Sequence, residues 1–236
     1  MGNGFPNPQL PITNYQSPIT NYQLPIPNYQ LPEMNTKIQP IYRVFAAIFT
    51  YPSPELTAEI SECNRQLKAD YPEAAELINQ FQSLANSTSI SHLEEIYTST
   101  FDVNPVCFPY PGFHLFGENF NRADFLVKLQ QKYQEHGFTA PPNELADHLA
   151  VMLEFLSTLE PDAVLAQELI EDCLLPALEK MTEGFKAENP YAGVVRSLLS
   201  FLQTSQKAGF YNIAVCNLVK YKPPVGARHQ KPFGEQ

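Results

Sequence analysis

From residue 37 onward, hydrophobic side chains recur every three or four positions, the spacing that places them on one side of an α-helix. One such stripe lies within 41–49, and another lies within 194–202, after the helix-start signal Asn189-Pro190. No convincing stretch of this part alternates hydrophobic and polar residues with the two-residue period of a half-buried strand. The pattern predicts an all-α fold, with about seven to nine helices in a single domain.

Residues at helix ends support the boundaries between these segments. The spacing of Ser91 and Glu94 is that of a capping box, and Gly137 is placed to end a helix in the left-handed conformation. A longer helix is predicted to open at Asp162. We expect Pro176 to bend or split that helix, because proline lacks the amide proton and clashes with the preceding turn.

The first 36 residues have a different pattern. Residues 11–31 are three tandem heptapeptides, PITNYQS, PITNYQL and PIPNYQL, and the proline in every unit excludes a coiled coil. Residues 1–36 carry one charge, on Glu33, and no spacing that would close a core, so they are predicted to be a disordered head. Because repeated CCAATTA encodes PITNYQL, the repeat is interpreted as a translated DNA repeat, with Met34 as an alternative start. A docking tail rich in proline and tyrosine is the competing interpretation.

Charge is distributed unevenly along the chain. Residues 37–217, predicted to be the folded domain, hold 23 acidic and 11 basic side chains. Residues 218–236 hold four basic side chains and one acidic one, and are predicted to be a mobile tail. An acidic domain argues against nucleic acid and anionic membrane surfaces as partners, since both need clustered positive charge.

No apolar run reaches the roughly 18 residues of a membrane span and no secretory signal is recognisable, so we expect a cytoplasmic protein without direct membrane insertion.

One segment, NELADHLAVMLEFLSTL at 143–159, is predicted to be a helix with an acidic face. Its apolar residues fall on one side, Glu144, Asp147 and Glu154 fall on the other, and His148 lies at the boundary. A merely solvated face is the alternative, because acidic residues in a first turn also complement the helix dipole. The predicted core stripe consists of Leu145, Leu149, Met152, Leu153, Leu156 and Leu159.

Residues 103–118 interrupt the helical pattern with aromatic side chains and prolines, and are predicted to form a long ordered loop. The chain shows no recognisable motif for metal binding or for nucleophilic catalysis. Asp147 and His148 are adjacent and point in different directions. Zinc proteases use two histidines that are one helical turn apart, and this pair is missing from the sequence. The four cysteines form no CxxC pair and are expected to stay reduced. We therefore expect no bound metal, and the residues alone indicate only an acidic helical domain with an aromatic loop.

Four segments of the predicted domain follow one another in a distinctive order. They are YRVFAAIFTYPSPEL (42–56), LEEIYTSTFDV (93–103), PYPGFHLFGENFNRADFLVKLQQKYQEHGF (109–138) and NELADHLAVMLEFLSTL (143–159). In this order they resemble the TorD/NarJ-type chaperones, which mature molybdenum-containing oxidoreductases. The third segment looks closest to the members that serve nitrate reductase and the related type II enzymes of the dimethyl sulfoxide reductase family.

The resemblance implies an all-helical chaperone that is not an enzyme and has no cofactor of its own. Such a chaperone binds the signal or N-terminal peptide of an apo catalytic subunit of a molybdopterin oxidoreductase. It further implies help with cofactor insertion and assembly, by a monomer or a homodimer. A client peptide with paired arginines and an apolar stretch needs carboxylates beside an apolar groove. A small-molecule-binding or hydrolytic helical protein with a site at Asp147 and His148 is the alternative. The expected client-peptide-binding residues are Glu118, Glu144, Asp147 and His148, which supply polar groups, and Tyr97, Phe101, Tyr110 and Phe116, which supply apolar surface.

Overall fold

Ten α-helical segments make up most of this computed structural model, which describes Met1 and residues 38–161, 163–186 and 188–207. A π-helical turn, Leu169–Leu174, joins the eighth segment to the ninth without a break, so the described residues form nine helical rods and no strand. The all-α fold expected from the hydrophobic pattern is confirmed. The segments are α1 (Ile38–Ile48), α2 (Leu56–Asp70), α3 (Pro72–Ser87), α4 (Ile90–Phe101), α5 (Pro111–Phe116), α6 (Phe120–Glu135), α7 (Leu149–Leu156), α8 (Val164–Glu168), α9 (Leu175–Gly184) and α10 (Pro190–Lys207).

Several sequence predictions concern residues outside these ranges. They are the head at 1–36 with the alternative start at Met34, the helix start at Asp162, the thiol of Cys216 and the tail at 218–236. Among the described helices, none is long and apolar enough to cross a membrane.

Helix α10 is largely buried, and it packs along α3 and against α9. The ring of its Phe201 contacts the rings of Tyr42, Phe45 and Tyr71, with centroid distances between 4.7 and 6.0 Å. At Gly193, α10 approaches α3 so closely that a Cβ atom would lie 2.9 Å from a carbonyl oxygen of α3. Helix α1 packs on the other side against α2 and α7. Every residue of α7 except Glu154 is buried, and the N-terminal end of α7 borders the candidate site described below.

The observed helix ends agree only in part with the sequence signals. The Asn189 side chain accepts a hydrogen bond of 2.9 Å from the backbone two residues later, and Gly137 has a φ of +68° just after α6, as expected. The predicted capping box at Ser91 is wrong, because Ser89 caps α4 and accepts a hydrogen bond of 3.3 Å from the His92 N–H. Helix α4 begins before Ser91, which therefore lies within its first turn.

Pro176 lies where the long helix changes from π-helical to α-helical turns, so it interrupts the regular geometry without splitting the rod. It is the second residue of α9, directly after the π-helical turn. The wider turn accommodates a residue that lacks the amide proton and crowds the turn before it. Beyond it, the Lys180 ammonium donates a hydrogen bond of 2.9 Å to the carbonyl oxygen of His114, so that α9 supports α5.

The prediction of a continuous loop at 103–118 is wrong, because the segment contains helix α5. Pro111 occupies the first helical position, where a missing amide proton does no harm. The short helix packs against α6 and α9 and ends at Gly117, which has a φ of +70°. These tertiary contacts outweigh the weak helix propensity of an aromatic segment, which is all that the local sequence reveals.

Candidate functional site

The acidic segment at 143–159 is folded differently from the predicted single helix. Helix α7 begins only at its seventh residue, and turns precede it. Two long-range hydrogen bonds of 2.8 Å hold these turns. The Tyr133 hydroxyl donates to the carbonyl oxygen of Ala146, and the Leu149 N–H donates to the carbonyl oxygen of Pro109. The predicted acidic helix face is therefore wrong, since bonds to distant residues replace the local helical ones.

The later start of α7 also changes which side chains are buried. Leu145 is 45% exposed, although the helical pattern assigned it to the core, because it lies in the turns. Glu154 is exposed on α7 and shares no helix with Glu144 or Asp147. The remaining members of the predicted stripe are buried as expected; they are Leu149, Met152, Leu153, Leu156 and Leu159.

Asp147 is fully buried and forms an ion pair with Arg122 of α6. The Arg122 Nε donates to Oδ2 at 3.0 Å, and Nη2 donates to Oδ1 at 3.2 Å, which is the bidentate geometry that suits a guanidinium and a carboxylate. The Arg122 side chain is itself only 13% exposed. The pair therefore ties the first turn of α6 to the segment before α7, and it occupies both oxygens of Asp147.

The guanidinium of Arg122 also lies against two aromatic rings. Its central carbon is 5.4 Å from the ring centroid of Tyr110 and 5.8 Å from that of Phe113, within the range of cation–π attraction. Gly112 stands between these rings in the sequence, and a Cβ atom there would lie 2.5 Å from Asp147 Oδ2. Only a glycine lets α5 approach the buried carboxylate so closely.

Glu144 is the carboxylate of this region that solvent reaches, with its side chain 31% exposed. Its Oε1 accepts hydrogen bonds of 3.0 Å from the Tyr110 hydroxyl and from the Leu145 N–H. Its Oε2 lies 4.0 Å from Nε2 of His148, beyond hydrogen-bond distance. Burial, together with the neighbouring Glu144 carboxylate, raises the pKa of Tyr110 to about 12, so the hydroxyl stays protonated and donates. Glu144 is thus held in place with one oxygen left for an incoming donor.

His148 is buried and caps α7. Its Nδ1 accepts a hydrogen bond of 3.2 Å from the Ala150 N–H, and its ring packs edge-on against the Tyr110 ring at 5.3 Å. Burial lowers the pKa of His148, while the carboxylates of Glu144 and Asp147 act in the opposite direction. We call the group formed by Tyr110, Arg122, Glu144, Asp147 and His148 the Glu144 site.

The remaining sequence candidates lie around or outside this group. Tyr97 is buried, its hydroxyl donates to the carbonyl oxygen of Phe49 at 3.2 Å, and burial raises its pKa with a further contribution from Glu144. Phe101 packs in the core beside Tyr97, at a centroid distance of 5.2 Å, and has little surface to offer a partner.

Phe116 and Glu118 follow Tyr110 along the chain. The half-buried ring of Phe116 packs on Phe125 of α6 at a centroid distance of 5.4 Å. Glu118 is exposed between α5 and α6, and no described hydrogen bond or ion pair joins it to the Glu144 site. The structure therefore brings together Tyr110, Glu144, Asp147 and His148, with Tyr97 near them, and leaves Glu118 apart.

Sequence reasoning missed Arg122 and Gly112, which shape the site as much as the acidic residues do. One signal pointed to Arg122: it is the single basic residue between Lys68 and Lys128, and it shares a segment of the resemblance with the aromatic loop. A lone cation beside an acidic motif is a natural counterion for a buried carboxylate. Nothing in the sequence marks Gly112 as more than a turn residue.

Three cysteines fall in the described part of the chain, and all three are buried: Cys63, Cys107 and Cys173. Burial raises the pKa of Cys107 to about 12, so its thiol is not activated as a nucleophile. Within the described residues, no group of three or more His, Cys, Asp or Glu side chains is placed to hold a metal ion.

Comparison with known proteins identifies the family. Residues 64–187, more than half of the chain, match the family model described as nitrate reductase delta subunit. The chain belongs to this family. The nitrate reductase delta subunit family consists of NarJ/TorD-type chaperones of molybdoenzyme assembly, which are not catalysts. The expected family and the expected chaperone class are thereby confirmed.

Named relatives agree with this assignment. The chain is 29% identical over 179 residues to the nitrate reductase molybdenum cofactor assembly chaperone NarJ of Bacillus subtilis, covering 72% of this chain and 92% of that one. It is 32% identical over 122 residues to the chaperone protein TorD of Vibrio vulnificus, covering 48% of this chain and 52% of that one.

A solved structure gives the same fold. The crystal structure of a protein named as a redox enzyme maturation protein, from Archaeoglobus fulgidus, superposes with a TM-score of 0.52 at 21% identity. The match covers 74% of this chain and 99% of the other. At this identity the likeness concerns the fold alone, and it agrees with the TorD-like all-α architecture expected from the sequence.

Proposed function

We propose that the chain is a cytoplasmic chaperone that binds the signal or N-terminal peptide of an apo catalytic subunit of a nitrate reductase-type molybdopterin oxidoreductase. It holds the subunit while the cofactor is inserted and the complex is assembled. Membership of a family of assembly chaperones supports the general role, and the Glu144 site supports the peptide-binding step.

The observation that carries the peptide-binding step is the unequal availability of two neighbouring carboxylates. Asp147 is fully buried and already bidentate with Arg122, so no client group can reach it without breaking that pair. Glu144 is 31% exposed and has one oxygen fixed by two hydrogen bonds, which leaves Oε2 for a guanidinium or ammonium of the client. The carboxylate is therefore preorganised, and little side-chain freedom is lost when a basic residue binds.

Apolar surface and overall charge favour the same kind of ligand. The exposed Leu145 lies next to Glu144 in the turns before α7, and the half-buried Tyr110 ring borders the same carboxylate. Residues 37–217 carry a net charge of −12, which attracts a basic peptide and accelerates its association at low salt. A peptide with a basic residue beside an apolar stretch matches both properties.

No specific observation favours the alternative of a small-molecule or hydrolytic site at Asp147 and His148. Both oxygens of Asp147 are engaged by Arg122, and Nδ1 of His148 is engaged by the N-terminus of α7. Neither group is available as a general base in this arrangement.

The test is calorimetric titration of a peptide with the N-terminal sequence of the catalytic subunit into the wild-type chain and its Glu144→Gln variant. Loss of a charge-assisted bond at a partly exposed site should weaken binding by about 1–2 kcal/mol, or roughly 5- to 30-fold. Glu154→Gln is the matched control, because it removes the same charge from an exposed position on α7. Equal affinities of the wild type and Glu144→Gln would refute the proposed site.

A further inference from the structure

His148 stands at a helix N-terminus in a position where aspartate, serine or asparagine is usual. Its Nδ1 accepts the Ala150 N–H at 3.2 Å, so Nδ1 carries no proton and the neutral ring carries its proton on Nε2. That Nε2 faces Glu144 Oε2 at 4.0 Å, on the opposite edge of the ring.

We propose that His148 is a positioning residue that acts as its Nε2–H tautomer: Nδ1 caps α7, and Nε2 lies beside Glu144 without a hydrogen bond, so that Oε2 stays free for the client. The proposal rests on the proposed function insofar as Glu144 binds the client. It assigns His148 no contact with the client. On this account the Glu144 site keeps its geometry only while His148 is uncharged.

A second proton would disturb the Nδ1 edge of the ring. Protonated Nδ1 becomes a donor that faces the donor Ala150 N–H, and the cap is lost. The positive charge would also lie at the positive end of the helix dipole. Attraction by Glu144 and Asp147 opposes these effects, but Asp147 is already neutralised by Arg122. The ring itself packs against Tyr110. The Tyr133 hydroxyl of α6 bonds to Ala146, two residues before His148, and Arg43 of α1 bonds to Ser157 at the far end of α7.

The sign of the pH dependence follows from burial. Because burial lowers the pKa of His148 below its ordinary value of 6.5, the unfolded chain binds the proton first on acidification. The contribution of the cap to stability is therefore complete above about pH 6.5 and is lost as the pH falls towards the folded-state value. His114 also has a pKa lowered by burial, so the part that belongs to His148 is the difference between the wild type and a variant without this imidazole.

The experiment uses the full chain with His148→Asn and His148→Ala. Asparagine retains a capping oxygen and does not titrate, whereas alanine provides no capping acceptor. At pH 8 we expect His148→Asn to melt close to the wild type and His148→Ala to melt at least roughly 2–4 °C lower. Between pH 8 and pH 5 the melting temperature of His148→Asn should fall less than that of the wild type. A long-range ¹H–¹⁵N correlation spectrum of the wild type should show the Nε2–H tautomer.

Peptide titration separates this inference from the proposed function. If both hold, His148→Asn binds the N-terminal peptide within about threefold of the wild type, His148→Ala binds it more weakly, and Glu144→Gln binds it more weakly still. If Glu144→Gln loses affinity but His148→Asn retains neither the stability nor the affinity of the wild type, the positioning role of His148 fails and the proposed function stands. An Nδ1–H tautomer, or a melting temperature of His148→Asn with the same pH dependence as the wild type, would overturn the inference. Unchanged affinity in every variant would instead count against the proposed peptide site.

Discussion

Replacing Asp147 with asparagine is the substitution for which the sequence and the structure give opposite expectations. On an exposed acidic helix face, Asp147→Asn would remove a charge and leave folding unchanged. The side chain is in fact fully buried and holds Arg122 through two hydrogen bonds. The substitution leaves the guanidinium buried without a counterion. One of its N–H groups then faces the NH₂ group of the asparagine, which is a donor, instead of an acceptor oxygen.

The expected loss of stability is large for a single substitution that keeps the shape of the side chain. Breaking a buried ion pair by removing one partner typically costs 3–5 kcal/mol, roughly. The value should lie at the lower end here, about 3 kcal/mol, because Arg122 is 13% exposed and keeps its contacts with the rings of Tyr110 and Phe113. For a domain of this size that corresponds to a fall in melting temperature of roughly 6–12 °C.

The assay is thermal and denaturant unfolding of the wild type, Asp147→Asn, Arg122→Met and the double variant at pH 7. Removing both charges should be less damaging than the two single losses added together, with a coupling energy of at least about 2 kcal/mol. Glu144→Gln serves as the matched control, because it changes a neighbouring carboxylate that is 31% exposed, and it should melt within a few degrees of the wild type. The reasoning is refuted if Asp147→Asn melts like the wild type or if the two single effects are additive.

Two further outcomes are expected from the packing. Gly112→Ala should destabilise the fold by about 1–3 kcal/mol in urea unfolding, because the new Cβ atom would lie 2.5 Å from Asp147 Oδ2. Gly184→Ala is the control and should not destabilise the fold, because its Cβ atom would keep an ordinary distance of 3.6 Å; equal effects of the two substitutions would contradict the close approach of α5. The buried thiols of Cys63 and Cys107 should react slowly with a thiol reagent in the folded protein, because burial raises their pKa values. In denatured, unreduced protein the reagent should detect all four cysteines, and fewer than four would reveal a disulfide.

Most of the helices were predictable because they follow from local information. Periodic apolar residues, Asn189 before α10 and Gly137 after α6 all act over a few residues, and the structure uses them as expected. The capping box at Ser91 failed for an equally local reason. Ser89 offers the same hydroxyl chemistry two residues earlier, and spacing alone does not choose between two serines.

The site was less predictable because distant residues shape it. Residue types identified the acidic motif, but the apolar periodicity predicted that α7 begins earlier than it does. The periodicity contains no information on the hydrogen bond from Tyr133 to Ala146, which holds the turns before α7. The burial of Asp147 depends on Arg122, 25 positions away, and on the missing side chain of Gly112. Such features arise from how α5, α6 and the turns before α7 meet, which the pattern along one segment does not encode.

The most direct test of a chaperone that holds an unfinished subunit compares its binding to the catalytic subunit with and without the molybdopterin cofactor. The tagged chain would be used to capture the catalytic subunit of a nitrate reductase from cells able to make the cofactor and from cells unable to make it, with molybdenum measured in both the bound and the unbound fractions. The account predicts that the captured subunit lacks molybdenum, that the loaded subunit stays unbound, and that Glu144→Gln captures less of the apo subunit. Equal capture of loaded and apo subunit, or no capture of either, would contradict it.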